Sequence, residues 1–336
     1  MESRKIRYGI IGFGLFAERT IAPAIQASPN SMLVAIQKRS LPAAREKARG
    51  LPVPYAFSSA EELVSCPDVD AVFIASANAT HCNETITAAR GGKHVLVEKP
   101  MAMNTAEAQR MIEECERHQV KLMVGHVVRF SPAVLHLRDL IRSGNLGRPT
   151  MAKSEYIYDA RMSKRSWLYD MRIAGGGPIF DIGVHCLDTL RFVLDDAVRS
   201  VQCQRSPLPT PSSTERSAVL ALEFSKGTLG SMTCSFEGPG RRIFIEITGT
   251  EGVAYAHDFT ISGLPATLHV GRRSDGASLE MEETEIDVPN LYVEEVTSFS
   301  HCILQNTDSP VPGRVGLENQ QVLDLAMVGG GKISES

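Results

Sequence analysis

A lysine, an aspartate and a histidine stand in this chain downstream of a nucleotide-type glycine loop. Glu98-Lys99-Pro100 follows a short apolar run, and Gly175-Gly176-Gly177-Pro178-Ile179-Phe180-Asp181-Ile182-Gly183-Val184-His185 opens a stretch of helical period. Upstream of both lies Gly9-Ile10-Ile11-Gly12-Phe13-Gly14-Leu15-Phe16-Ala17. The set suits hydride transfer. A histidine exchanges a proton with a hydroxyl or carbonyl, and an ammonium group stabilises charge developing on the same oxygen. Most lysines are solvated and most single helical histidines are structural. Here Lys99 stands at a strand end, and Asp181, His185 and Asp188 recur at i, i+4 and i+7, which predicts one face of an α-helix. Asp188 is expected either to orient His185 or to bind a neighbouring backbone group.

The Gly-x-Gly-x-x-Ala of the loop is weak as a motif alone but gains weight from its strand-loop-helix setting. Gly12 permits the tight turn, Gly14 lets the backbone approach a pyrophosphate, and Ala17 allows close packing, with Phe13, Leu15 and Phe16 completing the phosphate loop at the helix amino end. An NAD site usually places a carboxylate at the end of the second strand. This chain reads Ile36-Gln37-Lys38-Arg39-Ser40 instead. Lys38 and Arg39 can hold a 2′-phosphate and Ser40 can add a hydrogen bond, so NADP is expected over NAD.

The elements that must position these residues alternate. Apolar runs at 6–11, 33–36, 71–75, 94–97 and 122–124, with a weaker one at 55–57, predict strands. Helical segments are expected at 41–49, 60–65, 81–90 and 105–118. Such alternation predicts βαβ units and a doubly wound parallel sheet, with ligands at the strands' carboxyl ends. Beyond about residue 150 the pattern changes to longer, partly alternating stretches at 217–224, 229–236 and 241–247, with Ser225-Lys226-Gly227-Thr228 as a hairpin turn, which predicts a mostly antiparallel sheet. Helices are expected at 177–194, 291–304 and 316–327. The expected division is 1–126 and 127–336.

Composition narrows the classes. A chain of 336 residues, 43% hydrophobic and 22% charged, is of two-domain size and ordinary globular character. A net charge of -4 without a basic stripe argues against nucleic acid as partner. The seven cysteines are scattered and never paired as Cys-x-x-Cys, so neither structural zinc nor a disulfide framework is expected, and a reducing, cytoplasmic setting is. No run reaches the length of a membrane span, and Met1-Glu2-Ser3-Arg4-Lys5 leads directly into the first strand.

Taken together, the glycine loop, Glu98-Lys99-Pro100, Gly125-His126-Val127-Val128-Arg129-Phe130 and Gly-Gly-Gly-x-x-x-Asp-x-Gly-x-His-x-x-Asp resemble the glucose-fructose oxidoreductase, inositol dehydrogenase and rhizopine-catabolism (Gfo/Idh/MocA) family over nearly the whole chain. The resemblance implies a Rossmann domain followed by a domain with a large open sheet, whose exposed face forms a homodimer or homotetramer interface. It implies substrates among sugars, cyclitols and related polyols, and it assigns Lys99, Asp181 and His185 to the substrate. Glu98 and Lys99 are expected beside the cofactor. Ser76-Ala77-Asn78 stands where the family commonly has Thr-Pro-Asn, and with His81 it is expected to serve cofactor binding. Tyr158, Arg161, Trp167, Tyr169 and Arg172 precede the glycine turn and are expected along the substrate cleft, with His126 and Arg129 as further candidates. Gly329-Gly330-Gly331-Lys332 replaces a longer helical close, so the terminus is expected to fray. Three rival readings remain open: an NAD-dependent sugar or inositol dehydrogenase, a redox-assisted hydrolase with locked NAD, and a non-catalytic nucleotide sensor.

Overall fold

The computed structural model describes residues 4–260, 263–273 and 278–333, so Met1-Glu2-Ser3 of the expected direct start lie outside the described residues. The chain forms two compact units, Met1–His126 with Tyr292–Gln320, and Val127–Leu291 with Gln321–Ser336. The sequence reading placed 292–320 with the second domain. In the first unit this segment bridges Met123 to Pro312, and Tyr8 shares a 2.9 Å hydroxyl contact with Ser300.

The first unit is a six-stranded parallel sheet of β1 (Ile6–Ile11), β2 (Ser31–Gln37), β3 (Tyr55–Phe57), β4 (Ala71–Ile74), β5 (His94–Glu98) and β6 (Leu122–Gly125), ordered β3-β2-β1-β4-β5-β6. Its central strands are buried at all but Arg7 and His94, which is why they read as largely apolar runs. The order reverses direction at β1, so the β1 and β4 carboxyl ends form the switch point where such sheets take ligands. Polar side chains fix the helix starts: Ser40 before Leu41–Gly50, a Ser59–Glu62 capping box before Ala60–Val64, and Asn104 before Thr105–Arg117.

The second unit is a nine-stranded sheet. Its strands are β7 (Pro149–Asp159), β8 (Val198–Ser206), β9 (Ser217–Phe224), β10 (Leu229–Ser235), β11 (Glu237–Gly249), β12 (Gly252–His257), β13 (Pro265–Arg273), β14 (Leu279–Asp287) and β15 (Gly330–Lys332), ordered β14-β13-β12-β11-β7-β10-β9-β8-β15. Among the described residues of this sheet, only the β7–β10 pairing is parallel. The expected hairpin joins β9 to β10, with Gly227 at φ 91°. The expected fraying is corrected at the terminus: Gly330–Lys332 pairs antiparallel with β8, because side-chain-free glycines let the strand edge approach closely. The helix Val184–Leu194 packs on β7 and on the helix Pro132–Arg142. It is preceded by a wide π-helical turn, Ile179–Gly183. All seven cysteines are free and buried. Among the described residues, no helix is long and apolar enough to cross a membrane, and no group of three or more His, Cys, Asp or Glu is arranged to hold a metal.

Candidate active site

In the first unit the glycine loop is built for a close-lying ligand. Gly12 has φ 78°, and a Cβ there would come within 2.6 Å of Ser76 at the end of β4. Gly14, Leu15 and Phe16 are exposed, and no side chain caps the π-helical turn Ala17–Ile21 that follows. A Cβ on Gly14 would meet nothing closer than the Gly12 carbonyl at 3.8 Å. Exposed backbone at an uncapped helix start fits the pyrophosphate of a dinucleotide. Phe13 is buried and its N–H donates to the Gln37 carbonyl at 2.9 Å. Phe16 meets Tyr292 edge-on with centroids 5.7 Å apart.

Gln37, which sequence reasoning passed over, holds this loop. Its Oε1 accepts from the Gly12 N–H at 3.0 Å and its Nε2 donates to the Ser58 carbonyl at 3.0 Å. Lys38 Nζ donates to the Phe13 carbonyl at 2.6 Å, Arg39 is exposed, and Ser40 Oγ accepts from the Ala43 N–H at 3.5 Å. The segment 37–40 thus carries no carboxylate and ends on the positive end of a ten-residue helix.

At the neighbouring strand ends, Asn78 begins the helix Asn78–Arg90, whose N-cap residue Ala77 supplies no side-chain cap. Ser76 donates its hydroxyl to Glu84, whose carboxyl is pushed up to about 7, chiefly by burial. His81 is buried, with Nδ1 3.0 Å from the Pro100 carbonyl and Nε2 3.3 Å from the Ser76 carbonyl. Burial lowers its pKa to about 4, so the ring is neutral and ties two loops as a framework group. The Lys99-Pro100 bond is cis, Lys99 is half-buried, and its N–H donates to its neighbour's Glu98 Oε2 at 3.2 Å. Glu98 is buried, and Glu295, fully buried, is held well above the usual carboxyl range by burial and then by Glu98. His126 is buried with Asn319 Nδ2 3.0 Å from its Nε2.

In the second unit Asp181 lies within the π-turn and His185 just inside the α-helix. The expectation of one regular α-face for Asp181, His185 and Asp188 is corrected by that turn, which widens the spacing before Val184. The turn's start is fixed by a buried carboxylate from β9's approach: Glu215 Oε1 accepts from the N–H groups of Gly177 at 2.9 Å and Ile179 at 3.1 Å. A Cβ on Gly177 would overlap the Glu215 carbonyl, hence the glycine. Asp181 is clasped by Arg165, with Nη1–Oδ1 at 3.0 Å and Nη2–Oδ2 at 3.1 Å, and accepts from the Tyr158 hydroxyl at 2.9 Å. Burial, then the Asp181 charge, holds Tyr158 far above the usual phenol range. Tyr156, pushed up to about 12 by burial, lies with its ring 6.1 Å from that of half-buried His185. His185, Tyr156, Glu155, Cys186, Thr189 and Phe259 are among the residues lining a small, partly open pocket.

Asp188 is engaged bidentately by Arg129, Nε–Oδ2 at 2.8 Å and Nη2–Oδ1 at 2.7 Å, and that guanidinium also lies 4.8 Å from the Phe192 ring. Asp188 is therefore an anchor for Arg129, not a contact of a backbone group alone. Of the arginines expected along a cleft, Arg161 bonds Asp159 and Arg172 bonds Asp170 on exposed surface. Trp167 and Tyr169 are half-buried, Tyr169 edge-on to Phe236. The arginine that meets Asp181 was missed, yet a signal existed. Asp159-x-Arg161 and Asp170-x-Arg172 each supply a local acid two residues away, whereas Arg165 has Ser163 at that spacing and is left for a distant carboxylate.

Residues 6–126 match a family described as an oxidoreductase family with an NAD-binding Rossmann fold, and residues 134–255 match the GFO/IDH/MocA C-terminal domain. A 1,5-anhydro-D-fructose reductase of Ensifer adhaerens is 31% identical over 315 residues, spanning 93% of this chain and 92% of that one. A D-xylose 1-dehydrogenase [NADP(+)] of Haloarcula marismortui is 28% identical over 327 residues, 93% of this chain and 87% of that one. A levoglucosan dehydrogenase in complex with NADH has the same fold, with TM-score 0.87 and 23% identity over 99% of this chain and 100% of that chain.

Proposed function

Since the chain belongs to the GFO/IDH/MocA oxidoreductases, with an NAD(P)-binding Rossmann domain, we propose that it is an NADP(H)-dependent reductase or dehydrogenase of a sugar, cyclitol or related polyol. The carrying observation is the end of β2. Gln37 is committed to the glycine loop, residues 37–40 include no carboxylate, and Arg39 is exposed beside a helix start where Ser40, its oxygen already accepting, retains a hydroxyl proton to donate. Arg39, Lys38 and Ser40 then hold the 2′-phosphate, while Gly12 to Phe16 and Ser76 to Asn78 border the rest of the dinucleotide. Arg39→Ala should raise the KM for NADPH roughly 10- to 100-fold and leave that for NADH nearly unchanged. Equal effects on both would overturn the NADP assignment.

When bound, the nicotinamide supplies or accepts the hydride. His185 exchanges a proton with the reacting hydroxyl or carbonyl oxygen, Lys99 donates to that oxygen, and Asp181 accepts from a substrate hydroxyl. Tyr158, held protonated, acts as a donor and not as a base. Arg129, committed to Asp188, shapes the wall more than it recognises substrate. Lys99→Met or His185→Ala should lower kcat by roughly 10²- to 10⁴-fold with NADPH affinity little changed. Assays across 1,5-anhydro-D-fructose, D-xylose and myo-inositol in both directions would choose the substrate, and near-normal turnover of either variant would refute the roles. The seven free thiols fit a reducing compartment, the cytoplasm.

We place self-association on the face of the second sheet where Met151, Val219 and Leu229 are exposed, Met151 opposite Leu229 in the register. Leu229→Arg should shift the sedimentation of the protein toward the monomer. An unchanged coefficient would remove that face from consideration.

A further inference from the structure

We propose that Arg165 is a positioning residue for the reaction, fixing Asp181 as a charged, oriented acceptor of a substrate hydroxyl. The inference rests on the reading of Asp181 as a substrate-binding group. Asp181 is 6% exposed, and a carboxylate so buried keeps its charge only when a partner compensates it. Arg165 provides that compensation in the two-pronged form that fixes both oxygens, and hence the plane of the carboxylate. Its Nη2 also donates to the Tyr158 hydroxyl at 3.1 Å, and Tyr158 donates in turn to Asp181 Oδ2 at 2.9 Å. Arginine, tyrosine and aspartate therefore close a three-membered cycle, and Arg165 Nε is steadied by Ser163 Oγ at 3.3 Å.

This arrangement differs from that of every neighbouring arginine in the same segment. Arg161 and Arg172, themselves exposed, serve half-buried aspartates two residues away, which is a local turn device. Arg165 reaches sixteen residues along the chain to a buried carboxylate on the turn that leads into His185. The π-turn is what aims Asp181 at Arg165. A side chain four residues before His185 on a regular helix would lie over His185's own face, and the widened turn displaces it toward β7, where Tyr158 stands. The cycle commits the single Tyr158 proton to Asp181 Oδ2 and holds the carboxylate in one plane, so a substrate hydroxyl meets one fixed acceptor. Lysine cannot replace Arg165 in this role, since a point charge does not hold two oxygens in a plane.

The test measures kcat and KM at saturating NADPH, on the panel sugar turned over fastest, for Arg165→Lys, Arg165→Met, Asp181→Asn and the Arg165→Met/Asp181→Asn double variant, with thermal melts of each. Arg165→Met and Asp181→Asn should each lower kcat/KM roughly 10- to 100-fold, and the double variant should be no worse than the poorer single. Arg165→Lys, which keeps the charge, should melt near the parent yet recover only part of kcat/KM. Multiplying losses in the double variant would overturn the proposal, because Arg165 would then act independently of Asp181. Parent-like kcat/KM in Arg165→Lys, with Arg165→Met impaired, would reduce the role to charge and overturn the positioning claim. An unaffected Asp181→Asn would instead sink the reading of Asp181 itself, and this inference with it.

Discussion

Two glycine-rich helix starts, one in the proposed cofactor loop and one bearing Asp181 and His185, treat the same electrostatic feature in opposite ways. The start after Gly12-Phe13-Gly14 has no side-chain cap and leaves Gly14 to Phe16 exposed. The start after Gly175-Gly176-Gly177 is filled from within the protein, by Glu215 bonding the Gly177 and Ile179 N–H groups. A helix amino end attracts an anion wherever it lies. One start leaves that attraction unanswered by any side-chain cap, as the proposed cofactor site requires, and the other satisfies it with a buried carboxylate so that the turn bearing Asp181 holds its shape. A glycine loop is therefore no sign of anion binding until the partner of its N–H groups is known.

Breaking the filled start should have the largest effect. Gly177→Ala drives a methyl into the Glu215 carbonyl, and Glu215→Ala strands two buried N–H groups. We expect Glu215→Ala to destabilise the protein by about 2–6 kcal/mol, at roughly 1–3 kcal/mol for each of the two donors left unsatisfied, and Gly177→Ala to fold poorly. Gly14→Ala should do the reverse. Its methyl meets only the Gly12 carbonyl, at an ordinary contact distance of 3.8 Å, so chemical unfolding should change by less than about 0.5 kcal/mol, while NADPH binding weakens roughly tenfold because the backbone can no longer approach the pyrophosphate. Similar unfolding midpoints for Glu215→Ala and Gly14→Ala would erase the contrast.

How far these features could be read from the chain follows the same division. The first sheet was legible because its strands are buried on both faces and so write themselves as apolar runs, Ala71–Ile74 being buried throughout. Much of the second was not. Strand β7, Pro149–Asp159, buries Ala152 and Ser154 among polar neighbours, and β14 is almost wholly exposed, so neither shows an apolar run or clean alternation. In the site, Gly12, Lys99, Asp181 and His185 were visible as motif residues. Gln37, Glu215 and Arg165 were hidden, since their roles come from partners 25, 38 and 16 residues away. Only Arg165 left a trace, as the arginine without a nearby aspartate.

A third helix start, at Asn78, sharpens the comparison through pH. It too lacks a side-chain cap, and its first turns carry His81 and Glu84. Folding raises the Glu84 pKa from 4.5 to about 7, so the folded chain keeps a proton the unfolded chain has released, and that stability is lost as pH rises through this window. Folding lowers the His81 pKa from 6.5 to about 4, so the unfolded chain takes up a proton first, and stability is lost as pH falls from 6.5. Each contributes up to about 3 kcal/mol, Glu84 less because it is only half-buried. Between pH 4.5 and 6.5, where the two windows overlap, the slopes oppose each other. Urea midpoints of His81→Gln should therefore decline with rising pH relative to the parent, and those of Glu84→Gln should climb. Parallel curves would mean that neither group titrates with the fold.

The smallest effect belongs to the start that stands between the two extremes. Ser40 caps the helix Leu41–Gly50 through a long 3.5 Å contact from the Ala43 N–H, yet it also adjoins exposed Arg39, so this amino end is partly satisfied from within and partly available. Ser40→Ala should cost about 0.5–1 kcal/mol in urea unfolding, the lower range for a lost serine cap given that long contact. If the remaining attraction serves a 2′-phosphate, the same variant should weaken NADPH severalfold and leave NADH unchanged, because only the phosphorylated ribose presents an anion there. Equal weakening of both cofactors would instead place Ser40 with the filled starts, as a cap whose loss loosens the β2 end without regard to what is bound.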